Sequence, residues 1–320
     1  MAFPEGYGVR PPVTADGPVI VDMINAESRA LRGVAFTSLE WVTAPWTAPG
    51  ANLERDFGVV TGPDGDLAAY FFIESEPPHT SIFSIGAVGL EHHGRGVGAA
   101  VVEELERRAE AFAAAAPAGE QVVWRMGGLA EEPLVARLLS DHGFGHPRVF
   151  WVMKRAFDGP PEPAADVPGV TFELVSPGGE EEVYPCLAEA FEDHYGDGLP
   201  ARDVWLHTHV TAIERHDPSL WHVARRDGVV VGALLGQPVA DEDPTLGYVA
   251  LFGVRRSERG RGVGQSLLRR SFTQFHERGR AGVMLFVDSE STTGATRVYE
   301  RAGMTSEPRF CSWERVLRTA

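Results

Sequence analysis

Apolar side chains follow two rhythms along this chain, and the rhythms come in the same order twice. In the second half, residues 183–191 and 203–213 carry apolar positions at helical spacing. Residues 221–224 and 229–235 are apolar runs joined by Arg226-Asp227-Gly228, which predicts two antiparallel strands around a tight turn. Residues 248–254 are an almost unbroken apolar run, hence a strand buried on both faces. Val263, Leu267, Leu268, Ser271 and Phe275 then fall on one helix face. Residues 283–287 read as a further strand. Ala295, Val298, Tyr299 and Ala302 make a last helical stripe that stops at Gly303, a suitable C-cap. In the first half Val97, Val101, Leu105, Ala109 and Phe112 repeat the spacing of the long helix.

Punctuation marks the repeat. Gly94 to Gly98 reads GRGVG, and 166 residues later Gly260 to Gly264 reads GRGVG again. The turn at Asp64-Gly65 matches Asp227-Gly228, and Gly143-Phe144 matches Gly303-Met304, at offsets of 163 and 160 residues. Between the copies, residues 155–169 hold four prolines and two glycines, the composition of a linker. The expectation is an α/β chain of two tandem domains, 1–155 and 170–320, around a linker at 156–169. Each domain is a mixed, mostly antiparallel sheet flanked by helices.

Composition narrows the chemistry. The 320 residues carry 29 basic and 45 acidic side chains, a formal charge of −16, which argues against nucleic acid and anionic membranes as partners. No apolar run approaches the ~18 residues of a membrane helix, and no signal peptide is visible in residues 1–21. Cys186 and Cys311 are the only cysteines, too few for a disulfide framework or a zinc cluster. These features predict a cytoplasmic protein. Lys154 is the one lysine and does not follow glycine, which excludes a Walker phosphate loop; Gly-x-Ser-x-Gly is missing as well. His207-x-His209 with His194 and His216 lacks the His-Glu-x-x-His pattern, and on a helix residues two apart do not share a face, so no metal is expected.

A glycine loop that leaves a buried strand and opens a helix is an anion site, because backbone N–H groups point outward and the helix dipole favours negative charge. A dinucleotide fingerprint fails, since Gly262-x-Gly264 is followed by Gln265, Ser266 and Leu267 without a third glycine. Arg259-x-x-Gly262-x-Gly264 after Val254 instead resembles the pyrophosphate loop of the Gcn5-related N-acetyltransferase (GNAT) family. Residues 287–304, with Tyr299 four before Gly303-Met304, resemble that family's next motif. The doubling resembles the mycothiol synthase-like branch of tandem GNAT proteins. The resemblance covers both halves and is strongest over 245–305. Eight arginines and two glutamates lie in residues 255–280, a local excess that suits the phosphates of coenzyme A; a solvated basic helix face is the other reading.

The resemblance implies an N-acetyltransferase that moves an acetyl group from acetyl-CoA to a primary amine of a small, cationic metabolite by direct attack in a ternary complex. It places coenzyme A at Phe252, Gly253, Val254, Arg259, Gly260, Arg261, Gly262, Val263, Gly264 and Gln265. Ser291 and Thr292 stand where the family often has an asparagine that touches pantetheine. Tyr299 is implied as the proton donor to the leaving thiolate, and strand 252–254 as the source of the oxyanion donor. The first copy offers a second coenzyme A site at Val88, Gly94, Arg95, Gly96, Val97 and Gly98. There His93 replaces Arg259 and Leu139 replaces Tyr299, so the chemistry is assigned to the second copy.

No motif identifies the base. Glu192, Asp193 and His194, at the end of a helix that usually forms the acceptor wall, are candidates for acceptor binding or for the base. Tyr248 joins them, standing where mycothiol synthase-like proteins would carry a glutamate. Eight acids against one arginine in residues 178–203 suit a cationic acceptor or a solvated acidic face equally. Two further readings stand beside the enzyme: a non-catalytic acyl-CoA-binding or regulatory protein, and a tRNA-dependent aminoacyl transferase on the same doubled fold, against which the charge and the intact loop argue.

Overall fold

The computed structural model describes residues 3–129, 132–196, 198–291 and 294–320. In chain order its elements are β1 (Gly8–Arg10), α1 (Asp16–Arg32), α2 (Leu39–Thr43), α3 (Leu53–Asp56), β2 (Phe57–Thr61), β3 (Leu67–Glu74), β4 (Ser81–Val88), α4 (Val97–Ala115), β5 (Val122–Leu129) and α5 (Pro133–Asp141). Next come β6 (Arg148–Ala156), β7 (Thr171–Leu174), α6 (Tyr184–Phe191), α7 (Arg202–Leu206), β8 (Trp221–Arg226), β9 (Val229–Gln237) and β10 (Leu246–Val254). The chain ends with α8 (Val263–Glu277), β11 (Gly282–Asp288), α9 (Ala295–Arg301) and β12 (Thr305–Arg318).

Two compact units form, but their limits differ from the repeat boundaries. One is Met1–Val149 with Arg309–Ala320; the other is Phe150–Pro308. The reason is strand pairing. β6 ends the first repeat yet lies antiparallel to β11, from Ala156 opposite Gly282 to Phe150 opposite Asp288. β12 ends the second repeat yet pairs with β5, from Phe310 opposite Leu129 to Arg318 opposite Val122. The compact units thus break at 149/150 and take back the last strand, whereas the repeats were expected to end at 155 and begin at 170. Proline content located the connection but could not say which sheet a flanking strand completes.

Nor is the proline-rich stretch a free tether. Val167 is buried in the α8 core, the Ser266 hydroxyl donates to the Ala165 carbonyl at 2.7 Å, and Arg269 and Arg270 pair with Glu162 and Asp166, each at 2.7 Å.

Within the first unit β4 and β5 run parallel and the neighbouring pairs are antiparallel. The second unit repeats this, with β10 and β11 parallel and β9, β8 and β6 antiparallel to their neighbours. In that unit α8 and α9 cover one face through Leu267, Phe272 and Tyr299, and α6 and α7 the other through Leu187 and Trp205. Residues 203–213 are not one continuous helix. α7 stops at Leu206, and a π-helical turn follows over His207–Thr211, closed by the Ala212 N–H on the His207 carbonyl at 2.9 Å. The Thr208 hydroxyl donates back to the Val204 carbonyl at 3.0 Å and competes with the α-helical ladder there.

Strand exchange makes a test. Val152 and Met153 of β6 are fully buried, each worth roughly 1.5–3 kcal/mol of apolar burial. Residues 170–320 made alone lack that strand and should show no cooperative thermal transition by circular dichroism. Refolding residues 1–157 together with 158–320 should restore one. A cooperative transition in the 170–320 fragment would contradict this account.

Candidate active site

The site begins where two parallel strands part. β10 pairs with β11 only from Leu246 to Val249, whereas its ladder to β9 continues to Val254. One residue, Ala250, is extra against β9, a bulge that turns the strand at the point of parting. Beyond it, the edge of residues 250–254 that faced β11 has no strand partner among the described residues. The first unit repeats the opening: β4 leaves β5 after Ile85 but stays with β3 to Val88.

α8 opens at the mouth of this gap. Its N-cap is Gly262 at φ +88°, a left-handed conformation that favours glycine, and no side chain caps the helix. The first helical N–H to find a carbonyl is that of Ser266, on Gly262, at 3.0 Å. The N–H groups of Val263, Gly264 and Gln265 are the orphan donors of a helix start and face outward. An anion at such an end gains ~0.3–1 kcal/mol from the dipole alone, in addition to hydrogen bonds. A side chain on Gly264 would meet the Phe252 ring at 3.2 Å, so that glycine lets the helix sit close to β10.

Arg259 shapes the loop. Its Nε donates to the Val254 carbonyl at 3.2 Å and its Nη2 to the Ala190 carbonyl at 3.1 Å, with Asp193 at 3.5 Å. Most of the arginine excess read from residues 255–280 is likewise paired. Arg255 meets Glu189, Arg256 grips Asp193 at 2.6 and 2.9 Å, Arg269 and Arg270 hold the proline-rich stretch, and Arg278 pairs with Asp217 at 2.5 Å. Arg261 stays exposed beside the loop, 3.8 Å from Glu258. Gly260 is exposed at φ +75° with nothing close by, and Gly253 packs against Ala190 and Leu187 of α6.

Tyr299 sits at the back of the gap. It is 5% exposed and its ring lies 6.0 Å from that of Phe252. Its hydroxyl has no hydrogen-bond partner among the described residues and is not one of the sealed polar atoms. Burial pushes its pKa well up, so it remains a protonated phenol, the form an acid catalyst needs. Ser291 N–H bonds the Asp288 carbonyl at 3.1 Å, and Thr292 lies outside the described residues.

The candidates for the base fare differently. Asp193 is exposed, and its hydrogen bonds from Arg256 hold it well below the usual carboxylate range; together with Glu192, 3.5 Å from Arg256, it braces the loop. His194 Nδ1 meets the neighbouring Tyr195 carbonyl at 2.8 Å. Tyr248 is half-buried against Phe286, and burial, with Asp241 and Glu242 adding to it, raises its pKa, so it too remains a phenol and not a base. These roles were missed because the arginines that occupy the acids lie about 60 residues away in sequence.

The first unit keeps the frame. Gly94 and Gly96 are at φ +71° and +82°, α4 is uncapped, Val97 is buried, and Arg95 is exposed. Gly98 lies 3.4 Å from Leu138 and 3.9 Å from Val88, measured from where a side chain would start. His93 Nε2 lies 3.0 Å from the Val88 carbonyl, the bond Arg259 makes to Val254. Leu139 occupies the place of Tyr299. Its carbonyl accepts from Phe144 N–H at 3.0 Å, and that of Tyr299 accepts from Met304 N–H at 3.1 Å.

Comparison with known proteins agrees with this architecture. Residues 181–304 match the Acetyltransferase (GNAT) family. The chain is 32% identical over 254 residues to a mycothiol acetyltransferase of Thermobispora bispora, covering 76% of this chain and 78% of that protein. It is 31% identical to the mycothiol acetyltransferase of Thermomonospora curvata, covering 76% of each. A solved GCN5-related N-acetyltransferase from Sphaerobacter thermophilus superposes with a TM-score of 0.78 at 33% identity, over 100% of this chain and 98% of that one. A tandem GNAT protein from the clavulanic acid pathway shares the fold at 15% identity and a TM-score of 0.67, over 98% and 99% of the two chains. The chain belongs to the GNAT family and is an acyltransferase built from a tandem pair of GNAT folds. Among the described residues no group of three or more His, Cys, Asp or Glu could hold a metal, and no helix is long and apolar enough to cross a membrane.

Two buried histidines give the second unit a measurable acid limit. Burial depresses His209 from 6.5 to about 4, against the pull of the Trp205 carbonyl, and likewise takes His222 to about 4. The unfolded chain therefore takes up protons that the folded one refuses. The stability these neutral rings confer is complete above pH ~6.5 and is lost as pH falls towards 4, by about 2 kcal/mol per ring at pH 5. NMR titration should find both midpoints near 4; midpoints near 6.5 would contradict the burial seen.

Proposed function

We propose that this chain transfers an acetyl group from acetyl-CoA to a primary amine of a small acceptor, with the chemistry in the unit Phe150–Pro308. The observation that carries the reading is the uncapped α8 start beside the free edge of β10, with a buried, protonated Tyr299 behind it. The N–H groups of Val263, Gly264 and Gln265 would hold the pyrophosphate, with Arg261 beside it. The free edge of residues 250–254 would take the pantetheine arm and supply the N–H that stabilises the oxyanion.

The amine nitrogen attacks the thioester carbonyl, the carbon–sulfur bond breaks, Tyr299 protonates the departing thiolate, and the proton that the nitrogen releases as the amide forms returns to the Tyr299 oxygen. The acids of residues 178–203 that suggested a cation are largely paired: Glu180 with His216, Glu181 with Arg202, Glu182 with Arg225, Glu189 with Arg255 and Asp193 with Arg256. The names of the relatives make a mycothiol-related amine the first acceptor to try.

The test is a screen of small primary amines, with release of coenzyme A thiol as the readout. Tyr299→Phe should lower turnover ~10²–10⁴-fold. It should barely change stability, because the lost hydroxyl has no hydrogen bond to lose. Gly262→Glu should abolish acetyl-CoA binding in calorimetry, since it adds strain at positive φ and a carboxylate at the phosphate position. Gly96→Glu should leave turnover in place. Silent Tyr299→Phe with lethal Gly96→Glu would move the active site to the first unit. Tight acetyl-CoA binding without transfer to any amine would favour the non-catalytic reading.

A further inference from the structure

The face of the second sheet opposite α8 carries titratable side chains that the proposed transfer has not used, and they meet beneath the bulge. A cavity of ~10 Å³, roughly the room one water needs, is lined by His209, His216, Gln237, Trp221 and Ala250. Ala250 is the bulge residue, one position beyond the last rung between β10 and β11.

The two rings are oriented by their other nitrogens. His216 Nε2 lies 3.3 Å from Glu180 Oε1, and a carboxylate can only accept, so Nε2 carries a proton and, in the neutral ring, Nδ1 holds the lone pair. Although burial pulls upward on its pKa, Glu180 is held low by backbone N–H groups and by His216, and it stays ionised. His209 Nδ1 lies 3.1 Å from the Trp205 carbonyl, which also can only accept, so the lone pair of His209 is on Nε2. Packing fixes both rings: His209 stacks on Trp205 at 5.3 Å and 18°, and His216 stands edge-on to Trp221 at 4.9 Å and 80°. The π-helical turn carries His209, and such turns gather at functional sites.

We propose that the Glu180–His216 pair, through a single water held against His209, takes the proton that the acceptor ammonium must lose before attack. A water in this cavity would give one hydrogen to His209 Nε2 and the other to His216 Nδ1, which leaves its oxygen lone pairs free to accept. The ammonium N–H passes its proton to that oxygen, and the water passes one of its own to His216 Nδ1. The positive charge moves from the ammonium to the imidazole, beside the Glu180 carboxylate that stabilises it. This rests on the transferase reading above.

The experiment compares two small nucleophiles on acetyl-CoA by thiol release at neutral pH. Methylamine is almost wholly protonated there and needs a base; hydroxylamine is neutral and does not. His216→Gln keeps a donor for Glu180 and removes the base. It should slow transfer to methylamine ~10²-fold or more and leave transfer to hydroxylamine within about threefold. Calorimetry with acetyl-CoA should show unchanged affinity. Should that variant fail to fold, Glu180→Gln in the same comparison is expected to show the same selective loss. Equal losses with both nucleophiles, or none with either, would overturn the proton route while leaving the transferase reading intact. Wild-type protein that releases no thiol with either nucleophile would overturn both.

Discussion

A strand can keep a neighbour on each edge only while both neighbours run beside it. In the second unit β11 stays beside β10 to Val249 and β9 to Val254, so beyond the bulge four residues of β10 keep one ladder and lose the other. A row of backbone groups without partners is costly in an interior, and it persists where something polar can lie against it. The glycine loop answers the same demand from the helix side. An uncapped α8 leaves its first N–H groups pointing at the opening, and Arg259 ties the loop to the end of β10. The uncapped helix start and the exposed strand edge thus meet at one divergence, and Tyr299 is placed by the α9 stripe that packs behind them.

The first unit shows which parts of this arrangement belong to the fold and which to chemistry. Its strands part in the same way, and both loop glycines have the same left-handed conformation. Where side chains differ, the replacement keeps the bond. His93 reaches the Val88 carbonyl as Arg259 reaches Val254. Buried His92 holds Asp66 beside its hairpin turn at 2.9 Å, and in the second unit buried Glu258 holds Arg226 beside the matching turn at 3.0 Å, with the carboxylate now on the loop side of the contact. Leu139 for Tyr299 is a different kind of change: the packing survives and the hydroxyl does not. The first two replacements keep a contact that ties the loop or the turn, and the third removes a hydroxyl.

Periodicity and glycine spacing made the tandem fold, the loop and Tyr299 legible, because each depends on residues within one turn or one strand of each other. What stayed hidden depends on long-range pairing. The arginine excess at 255–280 and the acid excess at 178–203 were each visible, yet only the fold brings Arg255 to Glu189 and Arg256 to Asp193, which removes both as free charge. The exchange of β6 and β12 was equally out of reach, since an apolar strand carries no mark of the sheet it joins. His209 and His216 were noticed as histidines and set aside as metal ligands; their relation to Glu180 and to the bulge at Ala250 needs the π-helical turn, which helical spacing alone does not reveal.

The most direct test is a crystal structure of the protein grown with acetyl-CoA. The pyrophosphate should lie on the N–H groups of Val263, Gly264 and Gln265, with the thioester sulfur within hydrogen-bond reach of the Tyr299 hydroxyl. Density for the cosubstrate only at Gly94 to Gly98, or with its sulfur remote from Tyr299, would contradict the account.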